Sequence, residues 1–336
     1  MVRSARGVTV VIPTKDRLER LERTVRTVLC QQGVDLEVVI VDDGSTEEVT
    51  PWVTALGDRR VRCLRNDHSL GVAGARNRGL ANARHEWIAF LDDDDLWSPL
   101  KLGAQLSALA ERPDARWCLA GAAVVDDDLR LLRVDEPPAA GDARRTLLFR
   151  NAVPGGCSGV LVARSLLEEV GGFDERLSMM ADWDLWIRCA LASPVASVTA
   201  PLVIYVQHGA NMSHDGARSD QELALVLAKH HASRRHVGVS GIDVGTQRWI
   251  ARNAAVGGAR RDASRRYVSL AWQTHRPGML RLALRSLIGP RWFRAATRRD
   301  ARRLPSERRQ AALRAVEEIQ GRLSEPAGGA RSDRRD

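Results

Sequence analysis

Apolar residues recur along this chain with two periods, and their alternation predicts its architecture. Val8 to Ile12 is an unbroken β-branched run, and Leu36 to Val41, Val61 to Leu64, Trp87 to Leu91, Trp117 to Val125 and Gly159 to Ala163 read as further buried strands. Between strands the period becomes helical. Apolar positions fall at 18, 21, 25, 28 and 29 after the first strand, and Ser45 or Thr46 is expected to cap a helix opening with Glu47 and Glu48 after the second. Ala75 to Leu80 continues as a helix from a glycine-bearing loop, His68 to Gly74, and Pro99 to about Ala110 forms another. This alternation predicts an α/β fold, a mostly parallel sheet with helices on both faces. Beyond about residue 216 the periodicity is helical only: Ser219 to Arg235, Asp243 to Arg260, Asp262 to Thr274 and Met279 to Ile288. The expected organisation is a catalytic domain over 1–215, a helical, basic region over 216–324 and a disordered tail over 325–336.

In parallel sheets ligands bind beyond the carboxyl ends of the strands. Three predicted strands end in polar groups: Thr14 with Asp16 and Arg17, then Asp42 and Asp43, then the run Asp92 to Asp95. Consecutive carboxylates at the mouth of a core strand repel one another unless a cation or a ligand's donors sit there. Asp92 and Asp94 project to one side of an extended segment and are hard oxygen ligands suited to Mg²⁺ or Mn²⁺. An acidic turn before the Pro99 helix is the alternative, with Asp95 expected to cap that helix and Asp42 to orient its own loop. The first strand runs into PTKDR, so neither the GxGxxG nor the GxxxxGK[ST] phosphate signature is present there.

Composition narrows the picture. The five cysteines are scattered and never spaced CxxC, which argues against a disulfide framework or a zinc site and for reduced cytoplasm. The start of the chain shows no apolar region of the signal-peptide kind. Of the net charge of +9, the segment from Arg291 onward, with 13 Arg against 7 acids, carries +6. The basic character therefore belongs to the tail, and nucleic acid is not expected as a partner. Met279 to Ile288 has a broad apolar face bearing only Arg281 and Arg285, with Trp292 and Phe293 close behind; it suits an anionic membrane surface, packing over the catalytic domain or a dimer contact.

The ordered series VIPTKDR, VIVDDGS, GVAGARNRGL, WIAFLDDDDLW, GGFDE and ADWDLWIR resembles the inverting, nucleotide-sugar-dependent glycosyltransferases of family 2, across roughly residues 7–215. The resemblance implies the GT-A fold, a nucleoside diphosphate sugar donor, Mn²⁺ or Mg²⁺, a saccharide or lipid-linked acceptor, and a role in cell-surface polysaccharide or glycoconjugate synthesis. It implies Thr14 and Asp43 at the nucleotide base, Arg76 near the donor diphosphate, and Asp92, Asp93 and Asp94 as the DxD-type motif. Asp94, with Asp92, is then the metal ligand, and Asp92 and Asp93 line the donor. Asp182 is the implied general base, at the start of a helical period that turns Asp184 roughly 200° away. Ala181 departs from the pattern, since many members carry Glu there. His208 is expected to be structural or to line the acceptor, and Trp183 and Trp186 to be core. A nucleotidyltransferase on a related sheet and an inactive scaffold of the same fold are the competing readings. The location implied is the cytoplasm, or the inner face of its membrane.

Overall fold

The computed structural model describes residues 7–208, 216–256, 258–275, 277–288 and 305–324; the tail 325–336 and Trp292 and Phe293 lie outside them. The first half is strand and helix in turn: β1 (Gly7–Thr14), α1 (Leu18–Leu29), β2 (Asp35–Asp42), α2 (Val49–Leu56), β3 (Val61–Arg65), α3 (Gly71–Ala81) and β4 (Trp87–Phe90). These strands are parallel, in the order β3-β2-β1-β4.

The second half comprises β5 (Leu96–Trp97), α4 (Lys101–Ala110), β6 (Trp117–Val125), β7 (Leu131–Asp135), α5 (Ala143–Phe149), a 3₁₀ turn (Gly156–Gly159), β8 (Val160–Ala163), α6 (Arg164–Val170), α7 (Ala181–Ala192) and β9 (Ala196–Val206). The sheet continues from β4 as β8-β6-β9-β5, with β7 on β6. Here β9 runs parallel to β6, whereas β8, β7 and β5 are antiparallel to their neighbours. The α/β architecture is as expected, with its continuous parallel run confined to the first four strands.

Alternation along β1 divides the core. Val8, Val10 and Ile12 pack with Leu21, Val25 and Val28 of α1 on one side of the sheet. Val11 joins Phe90, Trp183 and Trp186 on the other. A Cβ at Gly79 would lie 2.2 Å from a Val11 methyl, so glycine is what lets α3 approach β1 and bring its arginine to the strand ends.

The C-terminal helices are α8 (Gly216–Lys229), α9 (His231–His236), α10 (Val244–Val256), α11 (Arg260–Thr274), α12 (Gly278–Ile288) and α13 (Ser306–Ser324). Ala312, Val316 and Ile319 of α13 pack on Leu96, Ile204 and Val206. Leu223 and Val226 of α8 enter the core around α7. The buried Glu222 of α8 accepts the Ser178 and Met180 amides at 3.0 and 2.9 Å, fixing the turn that feeds α7. Helices α10 to α12 form a separate small core around Ala254, Tyr267, Leu270, Met279 and Ala283. Among the described residues no helix is long and apolar enough to cross a membrane.

Candidate active site

The parallel run brings the ends of β1, β2 and β4 to one rim, and the acidic turn after β4 is bound into it from several sides. Thr14 donates its hydroxyl to Asp93 at 2.7 Å, while the Asp43 amide donates to the Thr14 carbonyl at 2.8 Å. Arg17 reaches both Asp93, at 3.2 Å, and Asp94, at 3.1 Å. Thr24 of α1 holds the turn's backbone through the Asp93 and Asp95 carbonyls, at 3.0 and 2.9 Å. His208, just after β9, sets its Nε2 2.8 Å from the Asp94 carboxylate.

Asp92 faces a different cation. Its carboxylate pairs with Arg76 of α3, which is buried and sits 5.3 Å from the centroid of the Phe173 ring. The Arg76 Nε is buried with no hydrogen-bond acceptor. The acids therefore lie together while Asp92 and Asp94 hold separate basic partners.

Asp95 does not cap the following helix, which begins at Lys101 without a side-chain cap. Its fully buried carboxylate instead accepts the Ser158 hydroxyl at 2.6 Å and the Val206 amide at 3.0 Å. Ser158 also accepts the Asp92 amide at 3.2 Å, and its carbonyl accepts the Trp97 indole N–H at 2.9 Å. Asp95 thus joins the acidic turn to the 3₁₀ turn and β9, and Ser158 adds a tie to β5.

The other rim acids serve their loops. Asp42 accepts the Ser45 amide at 2.8 Å and an Arg65 N–H. Neither Ser45 nor Thr46 caps α2, whose first residue is Val49; Ser45 accepts the Asp16 amide instead. Asp43 accepts from Asn66, Ser69 and the Leu70 and Gly71 amides, at 2.6 to 3.0 Å. Burial alone would raise the Asp43 carboxyl, and these donors outweigh it and hold the group below its ordinary range.

Burial, with the charge of Asp94 added, pushes Asp93 up to about 6. Burial and the charges of Asp94 and Asp92 likewise raise Asp95. This is negative charge that the neighbouring arginines do not fully relieve. Among the described residues no three His, Cys, Asp or Glu side chains converge as a ready-made metal cage. One or two carboxylates, with phosphate oxygens and water completing the shell, suit Mg²⁺ or Mn²⁺, which bind with few protein ligands.

Asp182, in the first turn of α7, accepts the Trp183 amide at 2.7 Å and Asn151 Nδ2 at 3.4 Å. A Cβ on Gly156 would lie 3.3 Å from its Oδ2, and Gly156 holds φ at +55°, so the 3₁₀ turn borders the acid closely. Burial raises the Asp182 carboxyl, while the Arg76 charge and the Trp183 amide partly offset that rise. Trp183 and Trp186 are buried in the core as expected. Arg17, expected at the rim from its place after the first strand, lies on the acids of the turn, whereas nothing local to Asn151 or Ser158 marks them as partners of Asp182 and Asp95.

The profile described as "Glycosyl transferase family 2" matches residues 9–171, ending short of Asp182. The chain is 31% identical over 252 residues, 70% of each protein, to the succinoglycan biosynthesis protein ExoO of Rhizobium meliloti (strain 1021). It is 34% identical over 99 residues, 30% of this chain and 39% of the other, to the Escherichia coli UDP-Glc:alpha-D-GlcNAc-diphosphoundecaprenol beta-1,3-glucosyltransferase WfaP. In fold it is similar to S. aureus TarS 1–349 in complex with UDP-GlcNAc, with a TM-score of 0.53, 15% identity, and 94% of this chain and 92% of that one covered.

Proposed function

We propose that this chain, which belongs to the family 2 glycosyltransferases, moves a sugar from a nucleoside diphosphate donor to an acceptor hydroxyl with inversion, assisted by Mg²⁺ or Mn²⁺. The observation that carries the reading is the pairing of two settings across one 3₁₀ turn. Ser158 touches the acidic turn that would meet the donor, and Gly156 borders the carboxylate that would meet the acceptor.

The cation, held by Asp94 with Asp92, would neutralise the diphosphate as the sugar bond breaks. Arg76, charged at any working pH, serves the same leaving group; Arg17 and Thr14 orient the acids that do so. Thr14, Asp43 and Asp93 line the donor side, Asp43 by holding the loop before α3 in shape. Asp182 takes the acceptor proton. Because a single displacement needs one base and no covalent intermediate, one carboxylate opposite the donor suffices.

The names of ExoO and WfaP support polysaccharide or glycoconjugate synthesis and a lipid-linked acceptor; with such an acceptor the enzyme would work at the inner face of a membrane. Family membership disfavours the nucleotidyltransferase reading, and the retained acids and Asp182 disfavour an inactive scaffold. The test is to incubate the protein and Mn²⁺ with a panel of nucleotide sugars and an acceptor mimic, following nucleoside diphosphate release and the product's anomeric configuration by NMR. Release from one donor with an inverted product supports the reading; retention, or no release from any donor, sinks it.

A further inference from the structure

The inner sides of α11 and α12 are used up in the small core they share with α10. Their outer sides carry Val268, Trp272, Leu280, Leu284 and Leu287, all exposed, Trp272 at 78%. Positions 280, 284 and 287 follow the helical repeat and make one apolar stripe along α12, with Arg281 and Arg285 beside it. Arg261 and Arg265 precede Val268 and Trp272 on α11. None of these four arginines forms an ion pair among the described residues, α12 contains no acid, and the one acid of α11, Asp262, is bound to Arg266.

We propose that the outer face of the α11–α12 hairpin docks on an anionic membrane surface. Exposed leucines and a tryptophan at this density cost free energy in water and favour the boundary between headgroups and acyl chains, where an indole keeps its N–H solvated. The unpaired arginines supply the complementary charge for lipid phosphates and can bury their stems while doing so. A second copy is a poorer occupant, because a two-fold contact through this face would bring the same unpaired arginines together. The inference rests on the proposed membrane-borne acceptor only for its purpose, which is to hold the enzyme where that acceptor is. Its test uses neither donor nor acceptor, so one can fail without the other.

The experiment is cosedimentation of the full chain with phosphatidylcholine vesicles with and without phosphatidylglycerol, at low and high salt. The wild type is expected to bind the anionic vesicles, lose binding as salt rises, and ignore phosphatidylcholine alone. Trp272→Glu with Leu284→Glu, and separately Arg281→Glu with Arg285→Glu, should each weaken binding by about tenfold or more. Both variants should keep the wild-type melting temperature, since Trp272, Leu284 and Arg281 are exposed and the half-buried Arg285 has no ion-pair partner among the described residues. Absence of wild-type binding, equal binding to neutral vesicles, or unchanged binding by both variants would overturn the proposal. So would a wild-type dimer that the substitutions split in sedimentation velocity, which would assign the face to a second copy.

Discussion

Asp182 and Asp184, two residues apart on α7, meet opposite surroundings. The Asp184 carboxylate accepts from Arg188 at 2.7 Å, His230 at 2.8 Å and Lys229 at 2.9 Å, whereas among the described residues Asp182 meets Asn151 at 3.4 Å and its neighbour's amide. The helix turns one acid into the packing against α8 and α9 and the other toward the turn at Gly156. Only Asp182 keeps lone pairs for a substrate proton.

Asp184 should accordingly be a stability residue. Burial alone would raise it, but the His230 hydrogen bond and the charges of Arg188 and Lys229 bring it down to about 2. Its folded pKa lies below the unfolded value near 4, so its contribution is complete above about pH 4 and is lost as pH falls from there through about 2. Asp184→Asn takes the counter-charge from Arg188 and the acceptor from His230, leaving Lys229 with Asp174 alone, and should cost about 3–5 kcal/mol. Urea denaturation at pH 7 checks this, while specific activity of the folded fraction should change little.

Ser158→Ala should loosen the acidic turn. The buried Asp95 carboxylate loses its hydroxyl donor and the Asp92 amide loses its acceptor, for a stability cost of about 1–3 kcal/mol. Isothermal titration of nucleoside diphosphate with Mn²⁺ should show weaker binding; unchanged affinity and melting temperature would mean the turn holds its shape without this serine.

For the cation, EDTA should abolish turnover and Mn²⁺ or Mg²⁺ should restore it. Asp94→Asn should weaken nucleoside diphosphate binding in the presence of metal and leave metal-free binding nearly unchanged. Full turnover in EDTA would remove the metal from the account.

Lys101 provides a pH test away from the rim. It is fully buried, 3.9 Å from the centroid of the Trp97 ring and hydrogen-bonded to Gln105, and burial brings it down to about 7. Folded and unfolded chains both carry the charge below about pH 7, so its burial cost is constant there; between about 7 and 10 only the unfolded chain is charged, and stability should rise with pH. Lys101→Met should remove that rise in thermal melts followed from pH 7 to 10.

The sequence announced whatever a short period or a local motif encodes. The spacing from 18 to 29 matches α1, and the run from 117 to 125 matches β6, because each buries a face whose repeat needs no distant partner to read. The two-residue β5 and the helix α5 were missed: β5 is a strand only because β9 pairs with it, and the short α5 has too few turns to show a period. The position of Asp95 was misread for the same reason, since its partners are 63 and 111 residues away in sequence. Likewise nothing local marks His208 as an Asp94 partner across 114 residues, although its place after the last strand did single it out.

The most direct test compares wild type and Asp182→Asn with the donor found to be turned over, measuring Mn²⁺-dependent nucleoside diphosphate release across pH and donor affinity by calorimetry. Because the base must be ionised and burial raises it, wild-type activity should fall on the acid side at a pH above the ordinary aspartate value. Asp182→Asn should bind donor and metal within a few-fold of wild type yet lose about 10²–10⁴ in kcat, together with that acid limb. Near-wild-type turnover by Asp182→Asn, or a collapse of its donor affinity with kcat intact, would contradict the account.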